Sequence, residues 1–202
     1  MPRAAGQIDL AKNEAILEAA AEVLAERGLS APMSMIARRA SVSKQTIYNH
    51  YGAKTDLIRA LVARRVRTIS APLDAPGAEG RPEETLAAYA LSMMNIFGNP
   101  KSYSLMRLTV QSAGEMPELA RDVYDAGPRT NRLKLAAFLK AEAQAGRLDI
   151  PDPAEAAEIF VGMTIGHRQI RALIGIASEH DGADMERIAK DIAYRFVRAY
   201  AL

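Results

Sequence analysis

The stretch Ser41-Val42-Ser43-Lys44-Gln45-Thr46-Ile47-Tyr48-Asn49-His50-Tyr51 decides how the rest of the chain is read. Before it, Met33, Ile36, Ala37 and Ala40 recur at helical spacing and mark one buried face of a short helix. A tight Ser-Val-Ser turn then reverses the chain. Ser43 stands where a side-chain oxygen can accept the backbone N–H of Gln45 or Thr46, while Ile47 and Tyr51 give the next helix a buried stripe. Two short helices joined in this way, over residues 33–52, form a helix-turn-helix. Its second helix enters the major groove of duplex DNA and offers its first residues to base edges.

The pattern extends well beyond the turn. It takes in Ile16-Leu17-Glu18-Ala19-Ala20, Glu26-Arg27-Gly28, Met33 with Ile36-Ala37, Val42-Ser43-Lys44, Thr46-Ile47-Tyr48, His50, and Lys54 with Leu57. On these residues the chain from Asn13 to Leu57 resembles the DNA-binding domain of TetR-family transcriptional regulators. The resemblance implies an all-α fold of about nine helices. A three-helix helix-turn-helix domain would span residues 10–70, and a helical ligand-binding and dimerisation domain residues 71–202. Two positions depart from the family pattern: Ser41 replaces a turn glycine, and Pro32 stands where Ser or Thr commonly caps the second helix.

Side-chain chemistry divides the recognition helix. Lys44 suits a phosphate or a guanine, Gln45 has the amide geometry for adenine, and the Thr46 methyl can pack on a thymine methyl. The resemblance places Tyr48, His50 and Lys54 at the sugar-phosphate backbone, with Asn49 suited to either role. His50 has a competing reading as a helix-end residue packed on Tyr51. Arg38 and Arg39, on the supporting helix, could equally touch phosphate or stay solvated.

Composition agrees with a folded chain that carries two functions. Of 202 residues, 49% are apolar and 25% charged, which is the balance of a globular protein rather than a disordered one. Residues 1–71 hold 11 Lys and Arg against 6 acidic residues, and the remainder hold 15 against 18, so the basic bias lies where phosphate contacts are expected. With no cysteine there is no disulfide framework, thiolate nucleophile or thiolate metal site. The first nine residues read as a loose arm without the apolar core of a signal peptide. The apolar run 159–166 is far shorter than the roughly 20 residues of a membrane span. A cytoplasmic protein with no membrane partner is expected.

After the first domain only helices with punctuation are found. A fourth helix from Lys54 to Ser70 should meet DNA with its start and the second domain with its remainder. Others are expected over Pro82–Phe97, stopped by Gly98-Asn99-Pro100, then Lys101–Ser112, Pro117–Ala126, Pro128–Ala145 and Pro153–Ile174. The last of these would be capped by Asp152 and closed by Gly175, before a final helix Asp184–Tyr200 with Asp181 as a possible cap. The run from Met116 through Pro128 and the helix after it is similar to the regulatory domain of the AefR-like branch of the family.

An effector cavity between these helices would draw on Met93, Met94, Phe97, Tyr103, Leu105, Met106, Phe138 and Met163, with Arg107, Gln111 and His167 as polar groups. Such stripes serve equally well as plain core. Gly162 and Gly166, four apart and followed by Ile170, would let a helix approach closely, either from a second copy or from within the chain; the last helix carries Ile188, Ile192, Phe196 and Val197 on one stripe. The resemblance implies a homodimer through these last two helices, and two-fold symmetry implies a pseudo-palindromic operator. The expected function is a repressor released from duplex DNA by a small apolar or amphipathic effector. The alternative is a DNA-binding regulator with no small-molecule effector. Only three histidines, no cysteine and no HExxH, GxSxG or Walker-type loop leave no catalytic set, no metal site and no cofactor to expect.

Overall fold

The computed structural model describes residues 10–98, 100–176, 180 and 182–202, except the side chains of residues 97 and 100–102. The expected arm 1–9, the Asn99 of the stop signal, the Asp181 cap and the Phe97 side chain lie outside the described residues. Among the described residues the secondary structure is helical, with no strand. The α-helices are α1 (Leu10–Arg27), α2 (Met33–Arg39), α3 (Lys44–Tyr51), α4 (Lys54–Ser70), α5 (Pro82–Gly98), α6 (Pro100–Ser112), α7 (Pro117–Tyr124), α8 (Thr130–Gln144), α9 (Pro153–Ile174) and α10 (Gly182–Ala199).

Local chemistry sets most boundaries. Ser43 Oγ accepts from the Thr46 N–H at 3.0 Å and starts α3; Asp152 accepts from the Ala154 and Glu155 N–H groups at 2.9 and 3.1 Å and starts α9. Gly175, at φ 80° and ψ 17°, ends α9 in the left-handed conformation that releases a helix. Ser41 holds the turn between α2 and α3 at φ 54°, so a side-chain-bearing residue adopts the backbone that glycine takes more easily.

The break expected at Gly127-Pro128 does not occur. Helical backbone runs from α7 through a wider π-turn, Asp125–Arg129, into α8. The π-turn's longer spacing accommodates a proline that offers no N–H, and the Thr130 hydroxyl donates to the Asp125 carbonyl at 2.7 Å. A second interruption lies inside α9, where Gly166 takes φ 38° and ψ −132° and kinks the helix.

Two apolar cores result. The first gathers α1, α2, α3 and the N-terminal half of α4 around Ile16, Leu24, Ile36, Ile47 and Leu57, and also takes in Leu105 of α6 with Leu119 and Val123 of α7. The second packs α10 and α9 against α5 and α8 around Leu86, Tyr89, Leu139, Phe160 and Phe196. Packing is thus shared across the 70/71 boundary, because α4 belongs to both halves. Ile192 and Phe196, expected at a dimer interface, are buried in this second core at 8% and 1% exposure, and Ile188 packs against it. Phe196 meets Phe160 edge-on at 5.0 Å, so the strongest apolar stripe of α10 serves its own chain.

Candidate nucleic-acid interface and effector cavity

Helix α3 turns Ile47 wholly inward and leaves Lys44, Gln45, Tyr48 and Asn49 exposed. The Lys44 ammonium lies 5.6 Å from the centre of the Tyr48 ring, a cation–π arrangement that steadies both side chains. Gln45 Nε2 donates to Asn49 Oδ1 at 2.5 Å. Thr46 is half-buried and its hydroxyl bonds the Ser43 hydroxyl at 2.7 Å, so its polar atom completes the helix start.

Two side chains expected at the DNA backbone have partners within the domain. Lys54 Nζ donates to the Leu29 carbonyl, and burial pulls its pKa below the ordinary lysine value. His50 Nε2 lies 3.3 Å from Asn13 Oδ1, which also accepts from the Tyr51 hydroxyl, and its ring packs edge-on against Tyr51 at 4.3 Å. This packing is the arrangement expected of a helix-end residue. Arg38 and Arg39 are both exposed, and Arg39 is held by Glu22 and Glu26, both at 2.8 Å. A missed signal lies in the sequence itself: residues 27–55 hold Arg27, Arg38, Arg39, Lys44 and Lys54 and no acidic residue. An anionic backbone would meet no like charge from this segment.

Behind this surface, α4 runs on into a predominantly apolar cavity of about 150 Å³. Helix α4 supplies Val62, Arg65, Val66 and Ile69; α5 supplies Met93 and Ile96; α6 supplies Tyr103, Leu105 and Met106. The opposite wall is Val123, Gly127, Pro128 and Asn131, with Val161, Ile165 and Gln169 from α9. Burial raises the Tyr103 phenol pKa, and its hydroxyl bonds Gln169. Asn131 donates to the Tyr89 hydroxyl at 2.6 Å, while its own carbonyl oxygen is buried with no partner.

Of the expected cavity residues, Met93, Tyr103, Leu105 and Met106 stand on its wall. Met94 and Phe138 are buried in the second core, Gln111 faces solvent, and Met163 and His167 lie exposed on α9. Arg107 donates to the Ala172 carbonyl at 2.9 Å near the end of α9, where a cation meets the negative end of the helix dipole. The α4 residues were missed, although Arg65 sits at helical spacing within the stripe Val62, Val66, Ile69 and so had to face an interior. No described helix is long and apolar enough to cross a membrane.

A helix-turn-helix with an exposed recognition face, joined through one helix to an all-helical body, defines a class of DNA-binding transcriptional regulator. Residues 16–61 match the model of bacterial regulatory proteins of the tetR family, and residues 84–202 match that of the AefR-like transcriptional repressor C-terminal domain. The chain belongs to the TetR family of transcriptional regulators and is a DNA-binding regulator, not an enzyme. Its fold is similar to that of a TetR-family regulator from Mesorhizobium loti MAFF303099, with a TM-score of 0.75 at 23% identity, covering 97% of this chain and all of that one. A TetR regulator from Agrobacterium tumefaciens matches with a TM-score of 0.73 at 23% identity over 94% of each chain. The flavonoid-responsive regulator FrrA matches with a TM-score of 0.70 at 27% identity over 95% of this chain and 97% of its own.

Proposed function

We propose that the protein is a homodimeric repressor, acting on DNA in the cytoplasm, that holds a pseudo-palindromic operator until a small apolar or amphipathic molecule enters the cavity. The observation that carries this reading is the position of α4. Its Arg64 bonds Glu14 and Glu18 of α1, its Arg59 bonds Asp122 of α7 at 2.7 Å, and its Val62, Arg65, Val66 and Ile69 form a cavity wall. A ligand that displaces this wall moves the helix that carries the DNA-binding unit. FrrA, described as flavonoid-responsive, supports a small-molecule effector for this architecture.

In this reading residues 10–70 bind DNA and residues 71–202 sense and dimerise. Gln45, Asn49 and the Thr46 methyl read bases, and Lys44 and Tyr48 hold the phosphate backbone. The dimer face is the outer side of α9, where Ile159, Met163, Ile170 and Ile174 are 43%, 37%, 56% and 67% exposed. Gly162 and Gly166 lie along the same face with open space beside them.

The test is a selection of bound sites from random duplex DNA, followed by calorimetric titration of an effector with and without the selected operator. Two inverted half-sites about one or two helical turns apart are expected. Operator should weaken effector binding by the factor with which effector weakens operator binding, since coupling is reciprocal. Equal effector affinity in both titrations would instead support a regulator without small-molecule control.

A further inference from the structure

The cavity wall carries one cation and one unpaired acceptor, and together they restrict what can bind. Arg65 stands where the apolar cavity adjoins a charged cleft between α1 and α4. In that cleft its neighbour Arg64 takes both Glu14 and Glu18. Arg65 itself makes no ion pair among the described residues. Burial and the repulsion of Arg64 lower its pKa to about 10, opposed by Glu18, so it stays protonated at neutral pH but lacks a close counter-ion. The second group is Asn131, only 6% exposed. Its amide is spent on Tyr89, and its carbonyl oxygen has no donor. A buried acceptor without a donor is costly, and a ligand hydroxyl would satisfy it.

Size sets the third condition. A cavity of about 150 Å³ matches the volume that admits a single benzene-sized ring, and the wall here is mostly aliphatic with few polar groups. Resting on the effector reading above, we infer that the cavity takes a hydroxylated monocyclic aromatic carboxylate. The ring fills the apolar space, the carboxylate pairs with the Arg65 guanidinium, and the ring hydroxyl donates to Asn131 Oδ1. The carboxylate is the more selective of the two contacts, because a guanidinium accepts a planar two-oxygen anion in bidentate geometry.

Calorimetric titration of the full chain with 4-hydroxybenzoate, its neutral analogue 4-hydroxybenzamide, benzoate and phenol tests this, in the parent and in Arg65→Gln, Arg65→Lys and Asn131→Leu. The acid should bind the parent about tenfold or more tighter than the amide. Arg65→Gln should abolish that preference, and Arg65→Lys should retain part of it. Asn131→Leu should weaken 4-hydroxybenzoate more than benzoate, which lacks the hydroxyl. Thermal melts identify any variant that fails to fold, in which case the acid-to-amide ratio of the parent and of Arg65→Lys decides. If phenol, acid and amide bind alike and Arg65→Gln changes none of them, the cavity is an effector site but the carboxylate assignment is overturned. If no aromatic probe binds the parent at millimolar concentration, the aromatic carboxylate assignment is overturned, while the effector reading is decided separately by the titration with and without operator.

Discussion

At the scale of single residues, the proposed split of the recognition helix into anchoring and reading side chains can be tested one side chain at a time. Gln45 donates one amide hydrogen to Asn49 at 2.5 Å, which leaves its carbonyl oxygen and second amide hydrogen free. Those are the two atoms that a bidentate contact to adenine requires, so in the proposed reading Asn49 would hold Gln45 in register for it. Gln45→Ala should change the preference at one base pair by about 1–3 kcal/mol. Lys44→Ala should weaken binding to all sequences alike and flatten the salt dependence by about one ion. Site selection on each variant checks this: an unchanged consensus for Gln45→Ala would remove it from the reading face. Ser41 gives a stability test in the same motif. At φ 54° its side chain strains the backbone, so Ser41→Gly should raise stability by about 0.5 kcal/mol, the relieved strain exceeding glycine's entropic cost. A denaturant midpoint that falls would mean that Ser41 makes a compensating interaction.

At the scale of elements, α4 and the π-turn form a close joint between the cavity and the DNA-binding unit. A Cβ on Gly127 would lie 2.8 Å from Val62 Cγ1, and valine is too stiff at χ1 to swing aside. Gly127→Ala should therefore cost about 1–3 kcal/mol by forcing the two helices apart. Val62→Ala removes the obstructing methyl and should restore part of that loss, giving a favourable coupling energy in a double-mutant cycle. Strict additivity in thermal or urea unfolding would show that the two residues do not press on one another. This joint was not legible in the sequence, because Gly-Pro reads as a helix stop, and only the packing of α4 reveals a π-turn there. Helix starts such as Ser43 and Asp152 were legible, since capping depends on atoms within three residues. The cavity was half legible: Met93, Tyr103 and Met106 were found as apolar stripes, but a stripe does not say whether it faces core, cavity or solvent. Met94, Phe138 and Met163 took those other places.

At the scale of the whole molecule, the same ambiguity bears on which surface the proposed second copy would use. Helix α10 has a clearer apolar stripe than α9, yet Ile192 and Phe196 are consumed by the chain's own core. Helix α9 buries Ala156, Ala157 and Phe160 on one side and leaves Ile159, Met163, Ile170 and Ile174 on the other, too much apolar surface along one helix to be incidental. The kink at Gly166 bends this face between Met163 and Ile170, so the two ends would meet different parts of a partner. Ile170 is 56% exposed and belongs to no interior contact set, so Ile170→Arg should leave folding stability within about 0.5 kcal/mol of the parent. In a two-fold interface the substitution appears twice and sets like charges near each other in an apolar contact. Sedimentation velocity should then report a monomer. Operator affinity should fall by about 10²-fold or more as the two recognition helices lose their linkage, while binding to an isolated half-site stays unchanged. A variant that still sediments as a dimer and binds the full operator like the parent would place the interface off this face of α9. Loss of half-site binding as well would mean that the substitution had disturbed the DNA-binding unit itself.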